Sequence, residues 1–137
     1  SYTFKSNRLS TMKPESKFWQ QVKKNTPKIQ WTRLESWISL GVPDLLGYND
    51  SCGFFMVELK IANGNKIRLS PHQILFHTTM TRRNFILVKA DAPRSTILYE
   101  SSAIRELQHS LRDAKIAAKD DWSAIQAKLL GETTNVL

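Results

Sequence analysis

The sequence predicts a mixed α/β fold, one β-sheet with helices on its faces, and three stretches carry that expectation. Residues Gly53 to Ile61 alternate as a strand does. Phe55, Val57, Leu59 and Ile61 fall on one face, and Phe54, Met56, Glu58 and Lys60 on the other. Apolar residues on both faces predict a central strand covered on both sides. Next, Ser70-Pro71-His72-Gln73 opens a helix to about Thr81, with Ser70 as N-cap, Pro71 in the first position and Gln73 closing a capping box. Third, from Ser102 onward Ile104, Leu107, Leu111, Ala114, Ala118, Trp122, Ile125 and Leu129 recur at spacings of three and four, as on one helix face.

The remaining elements fill in around these. Glu15 to Lys24 predicts a helix, with Pro14 at its first turn and Phe18, Trp19 and Val22 at helical spacing; Asn25-Thr26-Pro27 ends it. Ile29 to Trp37 is rich in β-branched and aromatic residues and reads as a first strand, followed by a short strand over Asp44 to Tyr48. Asn63-Gly64-Asn65 is a turn, and Phe85 to Ala90 and Thr96 to Tyr99 are compact apolar strands. The C-terminal stripe, residues 102–131, is expected as one long helix or two helices broken near Lys119-Asp120, stopped by Gly131. The order is α-β-β-β-α-β-β-α. Trp19, Trp31, Trp37 and Trp122 are expected in the core rather than as stacking platforms.

At 137 residues the chain is expected to form one domain, residues 1–137. No apolar run approaches the ~20 residues of a membrane helix, and no leader-like segment is present, so an intracellular, cytoplasmic protein is expected. The single cysteine, Cys52, reads as a turn residue beside Gly53 and fits a reducing compartment. Charge is uneven. Residues 1–98 hold 15 basic and 6 acidic residues, a surplus of nine; residues 99–137 hold 5 and 6, a deficit of one. A polyanion is expected to meet the first part.

Two strings in that basic part carry chemistry. Asp44 ends Gly41-Val42-Pro43-Asp44, and Glu58 and Lys60 share a face of the next strand. Strand pairing brings the two carboxylates together, as Mg²⁺ requires of hard oxygen ligands. The backbone carbonyl of Leu59 is a natural third oxygen. Lys60 can aim at a phosphate or at the attacking water. Each string also has an ordinary reading: Asp44 as a turn acid after proline, Glu58 and Lys60 as an exposed edge-strand ion pair.

Gly41-Val42-Pro43-Asp44, then Val57-Glu58-Leu59-Lys60, then Leu69-Ser70-Pro71-His72-Gln73 resembles the PD-(D/E)XK nuclease superfamily, and within it the VRR-NUC group. The resemblance covers about residues 14–90. It implies a restriction-endonuclease-like αβββαβ core, with the C-terminal helical segment outside it. It also implies a nuclease dependent on Mg²⁺ or Mn²⁺, with Asp44 and Glu58 as metal ligands, Lys60 as the catalytic lysine and Gln73 as an active-site residue. A further acid from the first helix would be Glu15, with Glu35 as the fallback. Small stand-alone members of the group are often homodimers that cut branched DNA, including four-way junctions, and such a nuclease suits a virus or mobile element.

Lys23, Lys24, Lys28, Lys66, Arg68, Arg82 and Arg83 are the candidates for phosphate contact. Gln73 is equally well explained as a helix cap, and Glu15 as an acid favoured by the helix dipole. His72 and His77 read as solvated or DNA-facing rather than as general bases. The apolar stripe from Ile104 to Leu129 packs on its own sheet or forms a homodimer seam. Two other classes compete with the nuclease: a non-catalytic DNA-binding module of the same fold, and an assembly protein acting through its terminal helices.

Overall fold

A computed structural model describes residues 12–34, 40–91 and 93–132. Its elements are α1 (Pro14–Asn25), β1 (Gln30–Arg33), β2 (Leu45–Asn49), β3 (Gly53–Ile61), α2 (Pro71–Thr79), β4 (Asn84–Asp91), β5 (Arg94–Glu100), α3 (Ile104–Leu107), β6 (Ala118–Lys119) and α4 (Trp122–Leu129), with single 3₁₀ turns at Ser101–Ala103 and Leu111–Asp113. The strands form one six-stranded sheet in sequence order. Every neighbouring pair is antiparallel except β3 and β4, which run parallel and are joined through α2. The expected mixed sheet flanked by helices is therefore present. β3 lies in its interior, so Glu58 and Lys60 are not an edge-strand pair.

Two cores cover the two faces of the sheet. Phe18, Trp19 and Val22 of α1 pack with Leu45, Phe55, Val57, Leu59, Leu87 and Leu98, and Ile125 and Leu129 of α4 join them. On the other face Ile86, Val88, Ile97 and Tyr99 pack with Ile104, Leu107, Leu111 and Ala114. Trp19 is buried, and Trp31 and Trp122 pack on the first core, with Trp31 set edge-on to Trp19 and to Phe55 at centroid distances of 6.2 and 5.6 Å. Trp37 and Glu35 lie outside the described residues, as does the end of the expected first strand.

The structure corrects the C-terminal expectation. Residues 102–131 form neither one helix nor two long ones. α3 is a single turn, and the chain then runs back along β5: Ala117 N–H donates to the Leu98 carbonyl and Asp120 N–H to that of Thr96, both at 2.8 Å. Asp120 takes a positive φ of 57° and accepts the Thr96 N–H at 2.7 Å and the Ser95 hydroxyl at 3.0 Å. Sheet bonds thus replace helical ones, and the break near Lys119-Asp120 falls where expected. The regular spacing arose because Ile104 to Ala114 serve one core and Ile125 and Leu129 the other. The stripe is buried in the chain's own interior, which removes it as a homodimer seam.

A second correction concerns β3. Its Phe55 face is continuous core, but the opposite face is graded: Phe54 is 62% exposed, Met56 is half-buried and Glu58 is 2% exposed.

Candidate active site

Asp44 sits immediately before β2, held by its surroundings on both sides. Its carbonyl accepts the Leu34 N–H at 2.8 Å, and its Oδ2 accepts the Leu59 N–H at 2.8 Å. The second bond forms because β3 runs on past the last β2–β3 pair, Leu45 with Val57, leaving the Leu59 N–H without a strand partner. In an extended strand the carbonyl of a residue points to the same side as its N–H. The Leu59 carbonyl is therefore directed beside Asp44, as its expected role as a third oxygen requires.

The glycine of Gly41-Val42-Pro43-Asp44 has a local cause. Gly41 has φ of 85°, and a Cβ there would run into the backbone carbonyl of His72 at the start of α2. Its bare backbone lets the Asp44 loop close onto the helix that carries Gln73. Gly41→Ala is expected to lower the unfolding free energy by about 1–3 kcal/mol, read by urea denaturation, because the residue combines a left-handed backbone with a clash.

Glu58 is buried, its Oε1 has no hydrogen-bond partner, and its carboxyl lies near that of Asp44. Burial first, then the neighbouring Asp44 carboxyl, push its pKa up to about 10; Lys60 pulls the other way and Glu15 adds to the rise.

Gln73 joins the pieces. Its Oε1 accepts from Lys60 Nζ at 2.9 Å and from the Ser70 N–H at 3.0 Å, while its Nε2 donates to Glu58 Oε2 at 3.3 Å. The capping box is complete, with the Gln73 N–H donating to Ser70 Oγ at 3.1 Å. The helix cap and the site contact are thus one arrangement: the cap fixes the side chain that bridges the acid and the lysine.

Glu15, at the first turn of α1, comes within electrostatic reach. Partial burial and the Asp44 charge raise its pKa, and Arg33, Lys60 and Lys13 oppose the rise. Lys13 and Arg33 were missed in the sequence, because nothing in their spacing ties the start of α1 or the end of β1 to Asp44. His77 is corrected. It is fully buried, with Nδ1 2.7 Å from Ser101 Oγ, and burial with Lys60 nearby lowers its pKa to about 4, so it is neutral and faces no solvent. His72 is exposed.

Of the expected phosphate contacts, Lys23, Lys24, Lys28, Lys66, Arg68 and Arg82 are exposed. Arg83 is corrected: its guanidinium lies over the Phe55 and Phe85 rings, at 5.2 and 5.7 Å, and donates to the Leu129 carbonyl. It ties the end of α4 to the core. Lys23 and Lys24 stand about 12 Å along α1 from Glu15.

Among the described residues no three His, Cys, Asp or Glu side chains converge as a ready-made metal cluster. The donors at hand are the Asp44 and Glu58 carboxyls, the Leu59 carbonyl and, further out, Glu15. All are hard oxygens, one of them orphaned and buried. This is a set that Mg²⁺ or Mn²⁺ accepts, since Mg²⁺ keeps several waters and needs only one or two carboxylates.

No protein-family model matches the chain, and no curated protein matches it. Among solved structures it is similar to Hjc of Archaeoglobus fulgidus, described as a Holliday junction resolvase from an archaeal hyperthermophile. The TM-score is 0.55 over 90% of this chain and 100% of that one, at 13% identity. The fold is resolvase-like. At that identity the likeness speaks for the resolvase-like fold alone, and the chemistry rests on the residues gathered at the end of β3.

Proposed function

We propose that this chain is a VRR-NUC-like nuclease of the PD-(D/E)XK kind, a metal-dependent endonuclease that hydrolyses DNA phosphodiester bonds and prefers branched DNA such as four-way junctions, working as a homodimer. The observation that carries the reading is the Gln73 bridge. Four residues chosen from sequence, on three separate segments, meet in one place: Asp44 accepts a β3 backbone N–H beside Glu58, and Gln73 bonds to both Glu58 and Lys60.

Mg²⁺ or Mn²⁺, held by Asp44, Glu58 and the Leu59 carbonyl with Glu15 at its margin, would supply the charge that activates water and offsets the phosphate's developing charge. The chain's own residues do the rest. Glu58 would hold the ion as a carboxylate, its proton released to solvent. Lys60, held at 2.9 Å by Gln73, presents an ammonium to the phosphate or the attacking water. Gln73 fixes the spacing between the two. Lys13 and Arg33 add positive charge beside the acids, and Lys66 and Arg68 lie between β3 and α2, where a DNA backbone would arrive. Lys23, Lys24, Lys28 and Arg82 would serve a longer track. The resolvase-like fold supports branched DNA as the substrate.

The test is a substrate panel: labelled four-way junction, linear duplex and single strand, each with Mg²⁺ or EDTA. Cutting that needs the metal and favours the junction supports the reading. Tight junction binding without cutting in any metal replaces it with a DNA-binding module.

The double role of Gln73 gives a further expected result. Ser70→Ala removes only the hydroxyl half of the cap, leaving the Ser70 N–H to hold Gln73 Oε1, and lowers stability by about 1 kcal/mol with cleavage little changed. Gln73→Ala costs a similar amount of stability and also lowers cleavage about tenfold or more, since Lys60 loses its partner. Thermal unfolding and cleavage rates measured on both variants separate the roles.

A further inference from the structure

The face of the sheet that carries Lys60 also carries a cavity, away from the four site residues. The strand register fixes where it lies. Lys60 pairs with Val88, Val88 with Ile97 and Ile97 with Lys119, so the four stand in one row across β3, β4, β5 and β6. Paired residues share a face, and Ile97 is two strand spacings from Lys60, roughly 10 Å away on the same side of the sheet. A cavity of about 300 Å³ opens there, with Ile97 and Tyr99 as its floor and Leu111 and Ile116 in its walls. Its polar lining includes Asn65 and the exposed Arg112 and Lys119.

Hydrogen bonds hold this lining in place. The Asn65 carbonyl accepts the Leu111 N–H at 2.8 Å, and Asn65 Oδ1 accepts the Arg112 N–H at 3.1 Å, which ties the turn after β3 to the 3₁₀ turn at Leu111–Asp113. The Tyr99 hydroxyl donates to the Leu111 carbonyl at 3.4 Å. Asp120, the acid next to Lys119, is engaged by the Ser95 hydroxyl and the Thr96 N–H.

We infer that this cavity receives one unstacked base of the substrate DNA, within about three nucleotides of the phosphate that Lys60 addresses, at 3.4 Å per stacked nucleotide. Its chemistry selects a base. An apolar floor suits the flat face of any base, and cations beside it suit the phosphates that flank one. Lys66, exposed and next in sequence to Asn65, extends the same charge. Its size agrees: the cavity is at the low end of the roughly 300–1,000 Å³ of small-molecule pockets, room for one base but not for a duplex. The consequence is a preference among DNA structures. Drawing a base out of an intact duplex is costly, and least so where the base is already unpaired, as at a branch point. A cavity that must be filled by a free base therefore favours branched DNA over linear duplex.

The inference rests on the nuclease reading above and deepens its choice of substrate. Its test uses the full chain and a set of four-way junctions in which a single abasic residue is moved one nucleotide at a time across the branch point. Binding is read by gel shift in EDTA, and cutting in Mg²⁺ locates the cleaved phosphate. An abasic residue at one position, within about three nucleotides of the cut, is expected to weaken binding ~5-fold or more, as the loss of one stacked base does. Ile116→Trp fills the cavity without changing charge. It is expected to weaken binding of the intact junction by a similar factor and to erase the difference between intact and abasic DNA. Circular dichroism checks that the variant folds. Should it not, Arg112→Glu, at an exposed side chain, serves instead by repelling the strand from the cavity, and is expected to erase the same difference. Binding indifferent to every abasic position, or an abasic penalty undiminished in the folded variant, would overturn the inference and leave the nuclease chemistry standing. A chain that neither binds nor cuts any junction would overturn the nuclease reading and this inference together.

Discussion

An Asp44→Asn protein is expected to bind a four-way junction at least as tightly as the parent and to cut it at least ~10³-fold more slowly. The amide oxygen can still accept the Leu59 N–H that now bonds to Oδ2, so the loop before β2 keeps its place. What disappears is the negative charge that a divalent cation needs, and with it the cation's help to water and phosphate. Removing one negative charge near the incoming phosphate does not weaken binding. Lys60→Ala is expected to lose about 10²–10³-fold in rate by another route, since an ammonium aimed at the reacting phosphate is withdrawn while both carboxyls remain. Single-turnover cleavage together with a gel-shift titration separates rate from affinity. Unchanged rates in both variants would move the chemistry elsewhere on the chain.

The second large effect is on stability. In the metal-free protein the folded state holds the Glu58 proton up to about pH 10, whereas an unfolded chain releases it near the ordinary value of 4.5. Between those values the folded state binds more protons than the unfolded one, so stability falls as pH rises. The contribution is complete below the unfolded pKa and is lost as pH climbs through the folded one. Its slope is at most about 1.4 kcal/mol per pH unit. Mg²⁺ or Mn²⁺ is expected to offset the loss, because the ion binds the carboxylate and expels the proton; the metal-induced rise in Tm therefore grows between about pH 6 and pH 9. Glu58→Gln keeps a neutral group in the same space. It is expected to flatten the pH slope and to abolish the metal response. Thermal unfolding in EDTA and in Mg²⁺ across that range checks each part, and a Glu58→Gln protein with the parent's slope would refute the account of Glu58.

Much of the site was legible because it is built from short-range rules. β3 spans the same residues in sequence and in structure, since its Phe55, Val57, Leu59 and Ile61 face is apolar at every position and fixes which side meets the core. Ser70 and Gln73 form the capping box their spacing announced. The place of Gln73 in the site was implied by the resemblance, but its contacts with Lys60 and Glu58 did not follow from its spacing, because the distance from α2 to β3 depends on Gly41 yielding to the His72 carbonyl, a contact between segments far apart in sequence. His77 was misread for a related reason: one turn after Gln73, its exposure depends on the turn at Ser101 that packs against it. The C-terminal stripe misled most. A spacing of three and four marks a single buried face only if the segment stays helical, and here Asp120 and the partners on β5 turn it into sheet and a change of face. Arg83 looked like a loop cation until its guanidinium was found over two buried aromatic rings. The fold class followed from element order, which survives such local errors.

The most direct test of the central claim, that Asp44, Glu58, Lys60 and Gln73 form a metal-dependent phosphodiesterase, is a single-turnover reaction with excess protein over an end-labelled four-way junction, started with Mg²⁺ and run beside an identical reaction in EDTA. The account predicts discrete cut products in Mg²⁺, none in EDTA and none with Asp44→Asn in either. Products that persist in EDTA, or that Asp44→Asn makes at the parent's rate, would contradict it.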